Sequence, residues 1–192
     1  MILSPGAILR VGLLLLLAVV LQLSGLSQLS ILGGHIDLVV LAVAAVAYYA
    51  GSVSGCATGF AAGFLLDLLS GATMGVSSLV LTAVGYGVGR FREVRDPSHG
   101  LLPLAVAAAA TGGFMVAFAA VSFMLDVGAS VSTLVIRDAI VTTLLNVLLA
   151  LPVFAGVRKV VRPALRVDPL DVRRRRRPPR EAGPLGLRGL EV

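Results

Sequence analysis

The stretch GSVSGCATGFAAGFLLDLLSG, residues 51–71, places Gly51, Gly55, Gly59, Gly63, Asp67 and Gly71 every four residues in an apolar run. At 3.6 residues per turn this spacing forms one i±4 ridge on a helix. At 1.5 Å per residue the run is long enough to cross ~30 Å of hydrocarbon. All the ridge positions except Asp67 lack a side chain beyond hydrogen, so a second helix can approach to backbone contact. Close approach of this kind drives packing where lipid supplies no hydrophobic force between helices. Asp67 shares the ridge and is expected to face protein, while Leu65, Leu66, Leu68 and Leu69 fall on the other sides. Gly55, Gly59, Gly63 and Asp67 are therefore candidates for helix packing or partner binding. Gly85 and Gly89, on a later run, form a second close-packing face.

The rest of the chain has the same character. Of its residues 57% are hydrophobic and 14% charged, and its mean hydropathy is +0.98. That is too little polar surface for a water-soluble fold, which is ordinarily about a quarter charged. Six spans are expected, roughly Ala7 to Leu26, Ile36 to Ala50, Ser52 to Ser70, Met74 to Phe91, Leu101 to Leu125 and Leu134 to Val157. The second and third are cut at Gly51, because their joint run is too long for one crossing. The first has Arg10 ahead of an apolar stretch, like a signal peptide, but no small-x-small cleavage site follows it. It reads as a retained helix. The fold class is thus an all-α membrane protein of six transmembrane helices. Residues 1–160 form the membrane domain, and 161–192 form a basic, Pro/Arg-rich cytoplasmic tail expected to be disordered.

Orientation follows from the bases. Placing the N-terminus inside puts Arg10, the loop with Arg90, Arg92 and Arg95, and the basic tail in the cytoplasm, and leaves the outer connections without Lys or Arg. Tyr48, Tyr49, Tyr86 and Phe91 then fall near inner helix ends, at headgroup level. From Arg158 onward the chain holds eleven bases against four acids, so the tail is +7 and the remainder −1. Arg173, Arg174, Arg175, Arg176 and Arg177 make an anionic-lipid attachment or a bare topology signal. Nucleic acid is a poor partner for a tail already beside a polyanionic surface.

Single polar residues inside apolar runs carry most of the remaining information. Gln22 and Asn146 are expected to hydrogen-bond between helices, contributing roughly 0.6 to 2 kcal/mol each. Asp37, Asp67, Asp126, Arg137 and Asp138 gather toward the outer face. They read as a structural ion pair with wetted loop acids, or else as a proton or cation site. Asp67 with Arg137 is the expected pair, tying the third helix to the sixth. Val84-Gly85-Tyr86-Gly87 spells the core of a potassium-channel filter. Ala83 stands where that motif has Thr, no pore helix precedes it, and the neighbouring arginines would have to be exported, so a channel is disfavoured. Cys56 is a lone thiol in an apolar run, and His35 and His99 are loop residues. No metal-ligand pair, phosphate loop or nucleophile with its base is present, so no catalytic residue, metal or cofactor is expected.

The layout resembles the MreD family of rod shape-determining membrane proteins. The matching features are Gln22, Ile36-Asp37-Leu38, the run from Gly59 to Asp67, Gly75, and Gly85-Tyr86, and together they cover about residues 8 to 157. Two features depart from the family pattern. Ile36 replaces the usual proline, so no ring enforces the local bend, and the Arg-rich tail is not family-wide. The resemblance implies a non-enzymatic partner of an MreC-like protein in the inner membrane. That partner would help position RodA and a class B penicillin-binding protein for peptidoglycan synthesis near MreB filaments. It further implies a fold similar to the substrate-binding components of energy-coupling-factor transporters. A small-molecule-binding transporter subunit is the alternative, although the chain has no Trp, few aromatics and short outer loops to build such a pocket.

Overall fold

The computed structural model describes residues 5–24, 34–71, 73–94, 102–125 and 133–161. Within them six helices follow in order: α1 (Pro5–Ser24), α2 (Leu38–Ala50), α3 (Ser52–Ser70), α4 (Val76–Val94), α5 (Leu102–Met124) and α6 (Thr133–Val161). Each expected span corresponds to one of them. Three stretches, Ser52–Ser70, Leu102–Met124 and Arg137–Val161, are long and apolar enough to cross a membrane by length and composition. Asp126, Arg95, His99 and the arginines from Arg173 to Arg177 lie outside the described residues.

The shortest helix is the centre of the bundle. Among its thirteen residues only Leu38 and Tyr49 are less than fully buried, and α2 packs against each of the other five helices. Its apolarity is therefore that of a core. At 1.5 Å per residue it spans only ~20 Å. This also corrects the expectation that Tyr48 sits at headgroup level. Tyr48 is buried, with ring centroids 5.1 Å from Tyr49 and 5.8 Å from Phe154, and the Arg92 guanidinium lies 5.7 Å from its ring centre. The ring is held by protein on all sides because α2 has no free side to offer. Tyr86 and Phe91, on α4, are exposed.

Around α2, the outward faces are hydrocarbon. Leu9, Leu13 and Leu17 on α1 and Ile140, Leu144, Leu148 and Leu151 on α6 are all more than half exposed. Apolar rows of that extent suit lipid rather than water. Two glycines set the chain reversals. Gly51, at φ +92°, divides α2 from α3, and Gly71 ends α3 in the left-handed conformation. Both backbone states strain any residue with a Cβ.

Candidate functional site

Two polar assemblies hold the helices. The first forms where the extended segment before α2 lies along α6. The His35 N–H donates to Thr142 Oγ1 at 3.1 Å, and the Asp37 N–H donates to Asn146 Oδ1 at 3.0 Å. An extended chain rises about 6.6 Å over two residues and a helix about 6 Å over four, so the two registers match. Non-helical backbone at depth in an apolar bundle must have its N–H groups satisfied. Here two polar side chains one helical turn apart do it. The Asn146 amide also donates to the Asp37 carbonyl at 3.4 Å and to Thr111 Oγ1 of α5 at 3.1 Å. From α1, Gln22 donates to the Asp37 carboxylate at 3.2 Å and accepts from the Val39 N–H at 2.8 Å.

Gln22, Asp37 and Asn146 thus meet at one node that joins α1, α2, α5 and α6. The sequence marked those three as isolated polar residues. It did not mark Thr111 or Thr142, since a threonine in an apolar helix usually bonds its own backbone and leaves no distinguishing pattern. The non-helical segment before α2, with Ile36 in it, is held by side chains of α6. Gly34 explains the close approach: a Cβ there would fall 2.7 Å from the Val141 side chain and 2.8 Å from the Thr142 nitrogen.

The second assembly is the antiparallel α3–α4 seam. A Cβ on Gly55 would strike the Gly85 carbonyl, one on Gly59 the Leu81 carbonyl, and one on Gly63 the Ser78 backbone. From the other side, Gly85 meets the Gly55 carbonyl and Gly89 the Ser52 backbone. The ridge read from the sequence thus meets a second ridge on α4 from Gly55 to Gly63, while Gly71 at its end faces open space. Val84, Gly85, Tyr86 and Gly87 run inside α4 as continuous helix, not as a line of ion-facing carbonyls.

Each end of this seam is closed by an acid from the opposite helix. Near the end of α3, Asp67 Oδ2 accepts from the Gly75 N–H at 2.8 Å and the Ser78 N–H at 3.4 Å, at the start of α4. Near the end of α4, Glu93 Oε1 accepts from the Ser52 N–H at 2.9 Å and the Ser52 hydroxyl at 2.8 Å, at the start of α3. Free N–H groups and the positive end of the helix dipole make both helix starts good places for a carboxylate. Hydrogen bonds from the Ser52 backbone and hydroxyl hold the Glu93 carboxyl below the usual glutamate range. Sequence reading did not single out Glu93, since an acid among arginines at a helix end looks like a solvated charge.

The Asp67–Arg137 tie is not formed. Asp67 is 1% exposed and engaged by α4, Arg137 is exposed, and α3 and α6 make no contact among the described residues. The carboxyl took backbone N–H donors on the neighbouring helix instead of a charge on a distant one. Asp138 is half-buried beside Arg137. The single ion pair among the described residues joins Arg90 and Glu93 at 3.4 Å.

Comparison with known proteins gives one identification. A family model described as rod shape-determining protein MreD matches residues 6–160. Neither the curated proteins nor the solved structures give a match. The chain belongs to the MreD family.

Proposed function

We propose that this MreD family member is a non-enzymatic scaffold of the bacterial elongation machinery. It would bind an MreC-like protein and help organise lateral peptidoglycan synthesis by RodA and a class B penicillin-binding protein. Family membership carries rod-shape determination in the membrane. The finer reading has six crossings of the inner membrane, both termini in the cytoplasm, and a fold similar to the substrate-binding components of energy-coupling-factor transporters. It rests on the placement of the bases and on the resemblance.

One observation supports a scaffold most directly: six polar side chains reach across from one helix to another. Gln22, Asp37, Thr111 and Asn146 bind one another, and Asp67 and Glu93 close the α3–α4 seam. Side chains used in this way fix relative helix positions and leave the outer faces to partners and lipid. The test is co-purification of the full chain with the MreC-like protein of the same cell from mild detergent, together with the shape of cells lacking the chain. A stable complex and rounded cells are expected. Recovery with a transporter ATPase and unaltered cell shape would overturn the reading.

A further inference from the structure

One face of α6 takes no part in either polar assembly. Ile140, Leu144, Leu148 and Leu151 are each more than half exposed, and Arg137, Ala155 and Lys159 are exposed with them. At about 100° per residue, all of these positions lie within ~60° of Arg137 around the helix axis. Thr142, Asn146 and Ala150, which are buried, lie on the opposite side. The exposed positions form one stripe down the helix, apolar along its length and basic at both ends. Arg158, beside Lys159, is exposed as well.

The dimensions of the stripe say what covers it. With 29 residues, α6 is ~43 Å long, the thickness of a bilayer with its headgroups. The rise from Arg137 to Arg158 is ~32 Å, close to the ~30 Å of the hydrocarbon alone. Arg137 has no ion-pair partner among the described residues. Asp138, the adjacent acid, is half-buried, and it stands about 100° away, toward the side of Thr142 and Asn146. An occupant complementary to this face is apolar over ~30 Å and anionic at both ends. Phospholipid in two leaflets has that form, with a phosphate near the level of each base.

We propose that this stripe is a lipid-binding surface that sets the depth of the bundle. The hydrocarbon begins at Arg137 and ends at Arg158 and Lys159, and the Arg137 guanidinium is held by a phospholipid phosphate in the leaflet opposite the basic tail. The long apolar stem of an arginine suits that place, since it lies along hydrocarbon while its charged head reaches the headgroups. A consequence follows for the node around Asn146. It lies ~14 Å from the level of Arg137 and ~18 Å from that of Arg158, in the middle of the hydrocarbon. Backbone that leaves the helix there has no water to bond, so side chains of α1 and α6 must serve it. The proposal goes beyond the scaffold reading and rests only on α6 crossing the membrane.

The chain contains no Trp, so a single introduced Trp reports its depth without background. Full-length Ile140→Trp, Leu144→Trp, Leu148→Trp and Ala155→Trp variants are reconstituted in vesicles of phosphatidylethanolamine and phosphatidylglycerol. The vesicles carry spin-labelled lipids that quench either near the headgroup or deep in the acyl chains. Deep quenching is expected to peak at Leu148, midway between Arg137 and Arg158, and to fall toward Ile140 and Ala155, where shallow quenching takes over. Combined with Arg137→Leu, Ile140→Trp should lose shallow quenching and gain deep quenching as the freed end of α6 sinks. Arg137→Lys should leave it unchanged. A peak displaced from Leu148 by a full turn, or an Ile140 reporter indifferent to Arg137→Leu, overturns the proposal. So does shielding of the Leu144 and Leu148 reporters from both quenchers, by a second copy of this chain or by a co-purified MreC-like protein, since the face is then a protein interface. Leu13→Trp, on the exposed face of α1, is the control for crossing. If it and Leu148→Trp both escape deep quenching, the six-crossing reading fails together with this proposal, whereas an off-centre peak leaves that reading standing.

Discussion

Asn146 serves three groups at once: the Asp37 N–H, the Asp37 carbonyl and the Thr111 hydroxyl. Replacing it by Leu keeps the volume near and removes every bond, leaving the Asp37 N–H unsatisfied and the Thr111 hydroxyl without its donor in a buried site, while the Asp37 carbonyl keeps the Leu41 N–H at 3.3 Å. Each orphaned group costs about 1 to 3 kcal/mol, so Asn146→Leu should lower the thermal midpoint in detergent by several degrees. Leu148→Ala, at a 75% exposed position on the same helix, should change it little. Equal midpoints for the two would mean the node does not bind α6 to α2. Glu93 gives a pH-dependent counterpart. Its carboxyl is held below the usual glutamate range by the Ser52 bonds, so its contribution is present above that range and is lost as pH falls through the depressed folded value. Amide exchange at the start of α3 should therefore quicken, relative to the middle of α3, on acidification below the glutamate range. Glu93→Ala should show that faster exchange already at neutral pH, and pH-independent protection at Ser52 would remove the cap. The sequence pointed to Gln22, Asp37 and Asn146 because a polar residue in an apolar helix must find a partner. It could not say which partner, and the Asp67–Arg137 expectation failed on that point. Charge complementarity at similar depth is a weaker guide than which helices touch.

The helical glycines among the described residues are of two kinds, distinguished by the helix face each one occupies. Those on the facing ridges of α3 and α4 lie in backbone contact, whereas Gly112 and Gly113 on α5 have nothing within 4 Å of a built Cβ. Adding one methyl should then have opposite signs. Gly59→Ala pushes a Cβ into the Leu81 carbonyl and forces the helices apart, a cost of about 1 to 3 kcal/mol. Gly113→Ala meets open space and removes a flexible residue from a helix interior, a gain of about 0.5 to 1 kcal/mol. Thermal unfolding of both variants in one detergent checks this. Destabilisation by Gly113→Ala, or neutrality of Gly59→Ala, would mean that α5 and not α3 carries the packed ridge. The α3 ridge was legible in advance, since four-residue periodicity of glycine has one geometric meaning in a helix. Its α4 counterpart was legible only in part, as Gly85 and Gly89. Leu81 and Ser78 contribute backbone to the seam, and side-chain identity says little about where a backbone will be approached. The place of α2 was hidden for a related reason: a run apolar on every side reads alike whether it is surrounded by lipid or by five other helices.

At the scale of the whole molecule the charge is divided as sharply as the packing. The chain is +6 overall, but the part from Arg158 onward is +7 and everything before it is −1. If the six helices all cross, both ends share one side, and the arginine-rich end then lies against the leaflet that carries anionic lipid. Five consecutive arginines, Arg173 to Arg177, supply attraction of about 1 kcal/mol per base near such a surface. That is ample to hold a tail whose anchor already keeps it within reach. The force is electrostatic, so it should fall with salt as the Debye length shrinks from ~10 Å at 0.1 M to ~3 Å at 1 M. A peptide of residues 162–192 should therefore bind vesicles rich in phosphatidylglycerol at low salt and release at high salt. It should ignore phosphatidylcholine vesicles at either. Truncation of the full chain after Val167 removes the five arginines while sparing every described helix, so the thermal midpoint of the membrane domain should not move. Vesicle co-sedimentation across a salt series and unfolding of the truncated chain measure the two halves separately. Binding that is indifferent to lipid charge or salt would leave the arginines as a topology signal alone, and a truncated chain that no longer folds would make the tail part of the membrane domain.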